Sequence, residues 1–274
     1  MRPSRILARI RSGQVARVCN TSHYLPFFPR LAAHFGYDGV WVDAEHGTWD
    51  AHSIKAMLAM TRGADVDAMF RPSTLEKSGL ARCLEDGATG LMVPHVSTVE
   101  KARYLAECCK FPPLGDRGID GAGVDGDFWV GKGASYTEDA NRETFLCVQI
   151  ETPQALANVE EIAATPGVDM LFLGPGDMSL RLQCQPSLRD PVMFDAFRKI
   201  SAACHKNGKG FGLPIGDGEM ARKAVDHGAN LIAYGGEFFA VHDKLMNCSR
   251  ELDGALGESR SDTGATAPPV VYQR

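Results

Sequence analysis

Four short runs hold the residues whose types could do chemistry together: Asp43, Glu45 and His46 in VDAEHG, Arg71 in FRPS, Gln149 and Glu151 in VQIE, and Gly174, Gly176 and Asp177 in GPGD. Glu151 and Asp177 offer hard carboxylate oxygens of the kind Mg2+ or Mn2+ prefers. Mg2+ commonly takes only one or two protein carboxylates and keeps positions for water and substrate. A 2-oxo acid fills two such positions through its carboxylate and keto oxygens, and the ion then polarises the ketone so that the neighbouring methyl group loses a proton. Arg71 keeps its charge at any ordinary pH and suits the oxygen that becomes negative in an enolate. His46 carries an imidazole, which can pass a proton, especially if Asp43 or another carboxylate orients it. Gly174 and Gly176 leave room for backbone amides to hold a small carboxylate. Each residue has a plainer reading as an N-cap, a salt-bridge partner or a tight turn. Two acids at neighbouring strand ends are what tip the balance toward a metal. His95 also follows a strand, but a lone His there is read as structural.

These runs need elements that bring them to one place. Apolar β-branched segments of strand length alternate with longer segments of helical period, the pattern of βα units around a parallel sheet. The expected strands are QVARVCN from Gln14, GVWVDAE from Gly39, VDAMFRP from Val66, GLMVPHV from Gly90, TFLCVQIE from Thr144, DMLFLGP from Asp169, GFGLPI from Gly210 and NLIAYGG from Asn230. Eight strands of this kind make an α/β chain a (β/α)8 barrel, in which residues just past the strand ends surround a common mouth. The expected domain is one barrel over 1–252 with an N-terminal and a C-terminal helix, and 253–274 is a flexible tail or an arm to a neighbouring subunit. STVEKARYLAECCK reads as a helix with a capping box from Ser97 to Glu100. The opening MRPSRILARIRSGQ reads as a short amphipathic helix over the barrel floor. The stretch from Phe111 to Asn141 is too long and Gly-rich for a plain connection.

Composition narrows the partners. A formal net charge of −5 excludes a broad basic footprint, so nucleic acid is not expected. No apolar run approaches the roughly 18 to 20 residues of a membrane span, and GxxxxGK[ST] is absent. Eight cysteines without a CxxC pair read as reduced thiols, which places the chain in the cytoplasm.

Taken in order, VDAEHGTWD, FRPS, EDGATGLMVPHV, FPPLGDRG, VQIETPQALANVEEIAATPGVDMLFLGPGDMS and HGANLIAYGGE resemble the HpcH/HpaI class II pyruvate aldolases, from about Gln14 to Leu245. The resemblance implies a barrel of the phosphoenolpyruvate/pyruvate-binding type. It also implies reversible cleavage of a 4-hydroxy-2-oxo acid to pyruvate, or a related 2-oxo acid, and an aldehyde. It puts a divalent ion (Mg2+, Mn2+ or Co2+) on Glu151 and Asp177, proton transfer on His46, enolate stabilisation on Arg71, and substrate contacts on Gln149, Gly176 and Asp177. The acid that makes the catalytic His more basic falls on Glu85, with Asp86 beside it. Homo-oligomers are implied, hexamers built from dimers that exchange C-terminal helices. The chain departs from the family in having Gly176 before the metal-binding Asp, VCNTSHY where a Trp is common, and IDGAGVDGDFW after the RG of the long stretch. That stretch is expected to border the acceptor aldehyde. The rival readings are a Claisen-type lyase or synthase acting on a CoA thioester or oxaloacetate, and a non-catalytic metabolite-binding barrel.

Overall fold

Every expected strand forms, most of them shorter by one to three residues, while the first runs one residue further, to Thr21. In the computed structural model, which describes residues 1–130, 133 and 135–260, the strands are β1 (Ala16–Thr21), β2 (Gly39–Asp43), β3 (Asp67–Arg71), β4 (Gly90–Val93), β5 (Phe145–Ile150), β6 (Met170–Leu173), β7 (Gly210–Pro214) and β8 (Leu231–Gly236). All pair in parallel with their sequence neighbours, and β8 closes on β1. The helices are α1 (Arg5–Arg11), α2 (Phe28–His34), α3 (Ala51–Gly63), α4 (Lys77–Glu85), α5 (Val99–Cys109), α6 (Tyr136–Glu143), α7 (Pro153–Ala157), α8 (Val159–Ala164), α9 (Pro175–Leu182), α10 (Pro191–Asn207), α11 (Gly218–Asp226) and α12 (Glu237–Leu256).

Alternation along the strands makes two apolar layers. One face joins the helices in an outer core that includes Val40, Val42, Phe70, Leu91, Val148 and Leu171. The other fills the barrel with Val18, Trp41, Met69, Met92, Phe145, Cys147, Met170, Phe172 and Leu231. Helix α1 closes the floor of that inner core with Ile6 and Leu7, as its amphipathic sequence implies. A Cβ on Gly39 would stand 2.7 Å from the Ile6 side chain, so a glycine is what lets the plug seat. Asp67 pins it from the sheet, accepting from Ser4 Oγ at 2.6 Å and Ile6 N at 2.8 Å. Trp41 and Phe172 meet edge to face above the plug, 5.6 Å between centroids.

Helix ends follow capping chemistry, with one shift. Asp50 and Asp190 cap α3 and α10 through their carboxylates. Helix α5 begins one residue later than the expected box: Thr98, not Ser97, is the N-cap, and its hydroxyl accepts from Lys101 N. All eight cysteines are free. The closing helix runs to Leu256, past the expected boundary at 252, and 261–274 of the expected tail lie outside the described residues.

The path of the chain sets the described part of the long Gly-rich stretch at the floor of its own barrel. It leaves the end of α5 and returns to the start of β5, and in a βα barrel both of those points belong to the floor. Its Val124 and Asp125 amides donate to the carbonyl of Glu85, the last residue of α4, at 2.8 and 3.4 Å. Asp125 is a buried pin that accepts from Arg117 at 2.6 Å and Tyr136 Oη at 2.7 Å. The described residues of the stretch therefore do not border the mouth of their own barrel.

Helix α12 stands apart from this packing. Only Glu237, at its start, is buried, and Phe238, Val241, Leu245, Leu252 and Leu256 are exposed. At the seam where β8 meets β1, an outer groove of about 550 Å³ is lined by Val15, Phe35, Tyr37, Ala221, Val225 and Ile232.

Candidate active site

Strand ends deliver the side chains to the mouth. Asp43 is the last residue of β2 and Arg71 the last of β3, paired in register, so their side chains emerge together. Asp43 takes Arg71 in a two-pronged grip, Nε to Oδ1 at 2.8 Å and Nη2 to Oδ2 at 2.6 Å. Arg71 Nη1 lies 2.9 Å from Glu45 and donates to Gln149 Oε1 at 3.2 Å. Its guanidinium carbon lies 4.8 Å from the centre of the Trp41 ring, so the cation is fixed in its plane and stacked on a face. Gln149 carries the network to Glu151, Nε2 to Oε2 at 3.3 Å.

Glu151 is a carboxylate held away from water, its side chain 3% exposed. Burial raises its pKa above the ordinary carboxylate range, and the negative charges of Asp177 and Glu45 add to the rise. The His95 amide and ring pull the other way. A cation beside it would relieve both causes of the rise. Asp177, at the third position of α9, is 40% exposed and pairs with Arg181 at 2.6 Å. Among the described residues no group of three or more His, Cys, Asp or Glu converges as a metal cage. Two protein carboxylates are as many as Mg2+ commonly takes, the rest of its shell being water and substrate.

Glycine placement divides between the two expected positions. The Gly174 amide donates to the Ile150 carbonyl at 3.2 Å, so it is not available to a substrate. Gly174 serves by lacking a side chain, because a Cβ there would stand 2.4 Å from Glu151 Oε2. Gly176 is the second residue of α9, whose N-cap offers no side-chain hydrogen bond. First-turn amides have no intrahelical acceptor, so Gly176 and Asp177 present N–H groups suited to a carboxylate.

His46 follows β2 with its ring 67% exposed and Nε2 3.6 Å from Glu45. Asp43 meets it only at the backbone, 3.4 Å from the His46 amide, because its carboxylate is committed to Arg71. Glu45, not Asp43, is the carboxylate beside the ring. Glu85 does not join this group. It ends α4 on the floor side, 3.9 Å from Arg82, and among the described residues no hydrogen bond or ion pair links it to His46. A five-residue strand spans roughly 17 Å between floor and mouth, which a glutamate cannot cross.

Three residues at the mouth carry more than their sequence context suggested. Glu45 meets Arg71, His46 and His95. His95 wraps Glu151. Glu237 accepts from the Ser22 and His23 amides and lies 2.8 Å from the His23 ring, tying the loop after β1 to the start of α12. The repeated strand-end position was the available signal for the first two. Beside them opens a cavity of about 330 Å³, lined by Asn20, Ser22, Trp41, Asp43, His46, Arg71, Pro214, Ile215, Tyr234 and Phe239 among others.

Comparison with known proteins agrees with the fold. The family model for HpcH/HpaI aldolase/citrate lyase matches residues 26–243. A 2-keto-3-deoxy-L-rhamnonate aldolase of Klebsiella pneumoniae is 32% identical, over 92% of this chain and 91% of its own. A 4-hydroxy-2-oxovalerate aldolase of Novosphingobium aromaticivorans is 34% identical, over 78% and 81%. Among solved structures, an HpcH/HpaI aldolase from Desulfitobacterium hafniense aligns with a TM-score of 0.83 and 25% identity, over 90% of this chain and 96% of that one.

Proposed function

Because the chain belongs to the HpcH/HpaI aldolase/citrate lyase family, we propose that it is a divalent-metal-dependent aldolase, reversibly cleaving a 4-hydroxy-2-oxo acid to pyruvate, or a related 2-oxo acid, and an aldehyde. It is a carbon–carbon lyase, as its aldolase relatives are. The observation that carries the reading is the unbroken network from Asp43 and Glu45 through Arg71 and Gln149 to Glu151, which joins the ends of β2, β3 and β5.

Glu151 and Asp177 would hold the ion, Mg2+, Mn2+ or Co2+. When bound, it would act as a Lewis acid toward the 2-oxo group. The chain's own residues supply the rest. The first-turn amides of Gly176 and Asp177 receive the substrate carboxylate, and Gln149 stands between the cation of Arg71 and the acid of Glu151. Arg71 places a fixed positive charge beside the oxygen that becomes negative as the methyl group loses its proton. Because Asp43 and Glu45 already hold it, little reorganisation is needed when that charge forms. His46, in water and next to Glu45, takes that methyl proton and hands it to the aldehyde-derived oxygen as the carbon–carbon bond forms, and the same transfer runs backwards in cleavage. The cavity over Trp41, Ile215, Tyr234 and Phe239 receives the aldehyde.

The test is proton NMR of pyruvate in deuterated water with Mn2+-loaded protein, followed by product analysis with a panel of aldehydes. Methyl deuteration without an aldehyde, and aldol product with one, are expected. Turnover of a CoA thioester or oxaloacetate alone would favour the Claisen-type reading, and no reaction with any of these would leave a binding protein.

The same proposal places the enzyme in the cytoplasm, where eight free thiols persist, and assembles it as a hexamer built from dimers that exchange α12. Supporting the exchange are the apolar residues along α12 and the apolar outer groove at the β8–β1 seam. No helix of the described residues is long and apolar enough to cross a membrane. Light scattering should find a mass near six chains, and V241E/L245E should reduce it. An unchanged mass in that variant would rule out α12 as the adhesive element.

A further inference from the structure

The turn after β4 puts His95 in a backbone conformation that its neighbours explain. Its φ is 55°, in the left-handed region, uncommon for a residue with a side chain but tolerated by His better than by most. Such strain persists when surrounding contacts over-determine it. Here they do. Lys101 Nζ, from α5, holds the carbonyls of Pro94 and His95 at 3.3 and 3.0 Å. The next amide, Val96 N, donates to the Gln149 carbonyl at 3.3 Å.

The result is a two-point grip on one oxygen. The His95 amide donates to Glu151 Oε1 at 2.6 Å, and its ring Nδ1 lies 3.0 Å from the same oxygen. With the proton on Nδ1, the ring is a second donor to Oε1. Glu151 Oε2 has a lighter load, Gln149 Nε2 at 3.3 Å. It lies against Gly174, where a Cβ would be 2.4 Å away, three residues before Asp177. One carboxylate oxygen is thus saturated by donors, and the other, with a single long donor contact, keeps lone pairs for a further partner.

We propose that His95 is a positioning residue for the metal centre: by binding Glu151 Oε1 through both amide and ring it turns Oε2 toward the cation shared with Asp177, and so sets the affinity for that cation. This rests on the metal-dependent reading above. Hydrogen-bond partners of ligating groups fix ligand orientation, and losing one typically costs about 10- to 100-fold in metal affinity. Lys101 acts one step further out, as the clamp that keeps the turn left-handed.

The experiment is a Mn2+ titration followed by electron paramagnetic resonance of the free ion, on the wild-type chain, His95→Gly and His95→Asn, with circular dichroism on each. His95→Gly keeps the left-handed backbone and its amide and removes only the ring. It should stay folded and bind Mn2+ about 10- to 100-fold more weakly. His95→Asn tolerates the same φ and supplies a side-chain donor, so it should recover most of the loss. Wild-type affinity in His95→Gly overturns the positioning role, as does a His95→Asn no better than His95→Gly. A wild-type chain that binds no Mn2+ overturns the metal-dependent reading itself, so the two failures are distinguishable.

Discussion

Replacing Arg71 by Ala should suppress methyl deuteration and aldol addition together, by roughly 100- to 1,000-fold, because losing a preorganised donor to a developing oxyanion costs on the order of 3 to 4 kcal/mol. Both readouts fall because both pass through the same enolate. The variant also strands Asp43, a buried carboxylate whose two-pronged partner is gone, so its folding must be checked by thermal denaturation. Arg71→Lys separates the two effects. It keeps a countercharge for Asp43 but cannot reproduce the planar fork that reaches Asp43, Glu45 and Gln149 at once. It should remain folded and still lose most of the deuteration rate. Wild-type exchange in Arg71→Lys would mean that the guanidinium does not serve the enolate oxygen.

Removing divalent ions should abolish turnover, and Mg2+ or Mn2+ should restore it, because hydrogen bonds from Gln149 and a helix N-terminus cannot by themselves acidify a methyl group. Glu151→Ala and Asp177→Ala should behave like chelated protein while keeping the fold. Asp177 is half in water, and its loss frees only Arg181 on the surface of α9. Glu151→Ala removes a carboxylate that burial already disfavours, so stability should hold or rise while Mn2+ binding is lost. Metal-free protein with full activity would move the enzyme to a metal-independent chemistry. Unfolding of either variant would make the acid structural.

How much of this was legible in the sequence follows from which signals are local. A buried parallel strand must be apolar along its whole length, and the chemistry must sit where that run stops. VWVDAEH, AMFRP, LCVQIE and LFLGPGD therefore announced both the barrel and its mouth. Which carboxylate serves which cation is a matter of register and rotamer, and spacing does not encode it. Asp43 went to Arg71 because β2 and β3 pair Asp43 with Arg71, leaving Glu45 for His46. Within one chain Glu85 stands apart from His46 for a topological reason that the helix assignment already contained: the end of α4 belongs to the floor. The same reason sets the described part of the 111–141 stretch at the floor of its own barrel, since it joins a helix end to a strand start. His95 was passed over because nothing local marks a left-handed turn outside Gly, Asn or Asp.

The plug formed by α1 has a consequence for traffic through the enzyme. With Ile6 and Leu7 sealing one end of the barrel and the inner core packed solid above them, molecules enter and leave by a single door. Arg71, Gln149 and Glu151 are buried, whereas Tyr234, which lines the cavity together with Arg71, is 46% exposed. In the proposed reaction the 2-oxo acid is then first in and last out, and a resident aldehyde is a cork: at high concentration it should block the entry of pyruvate and slow the synthetic direction.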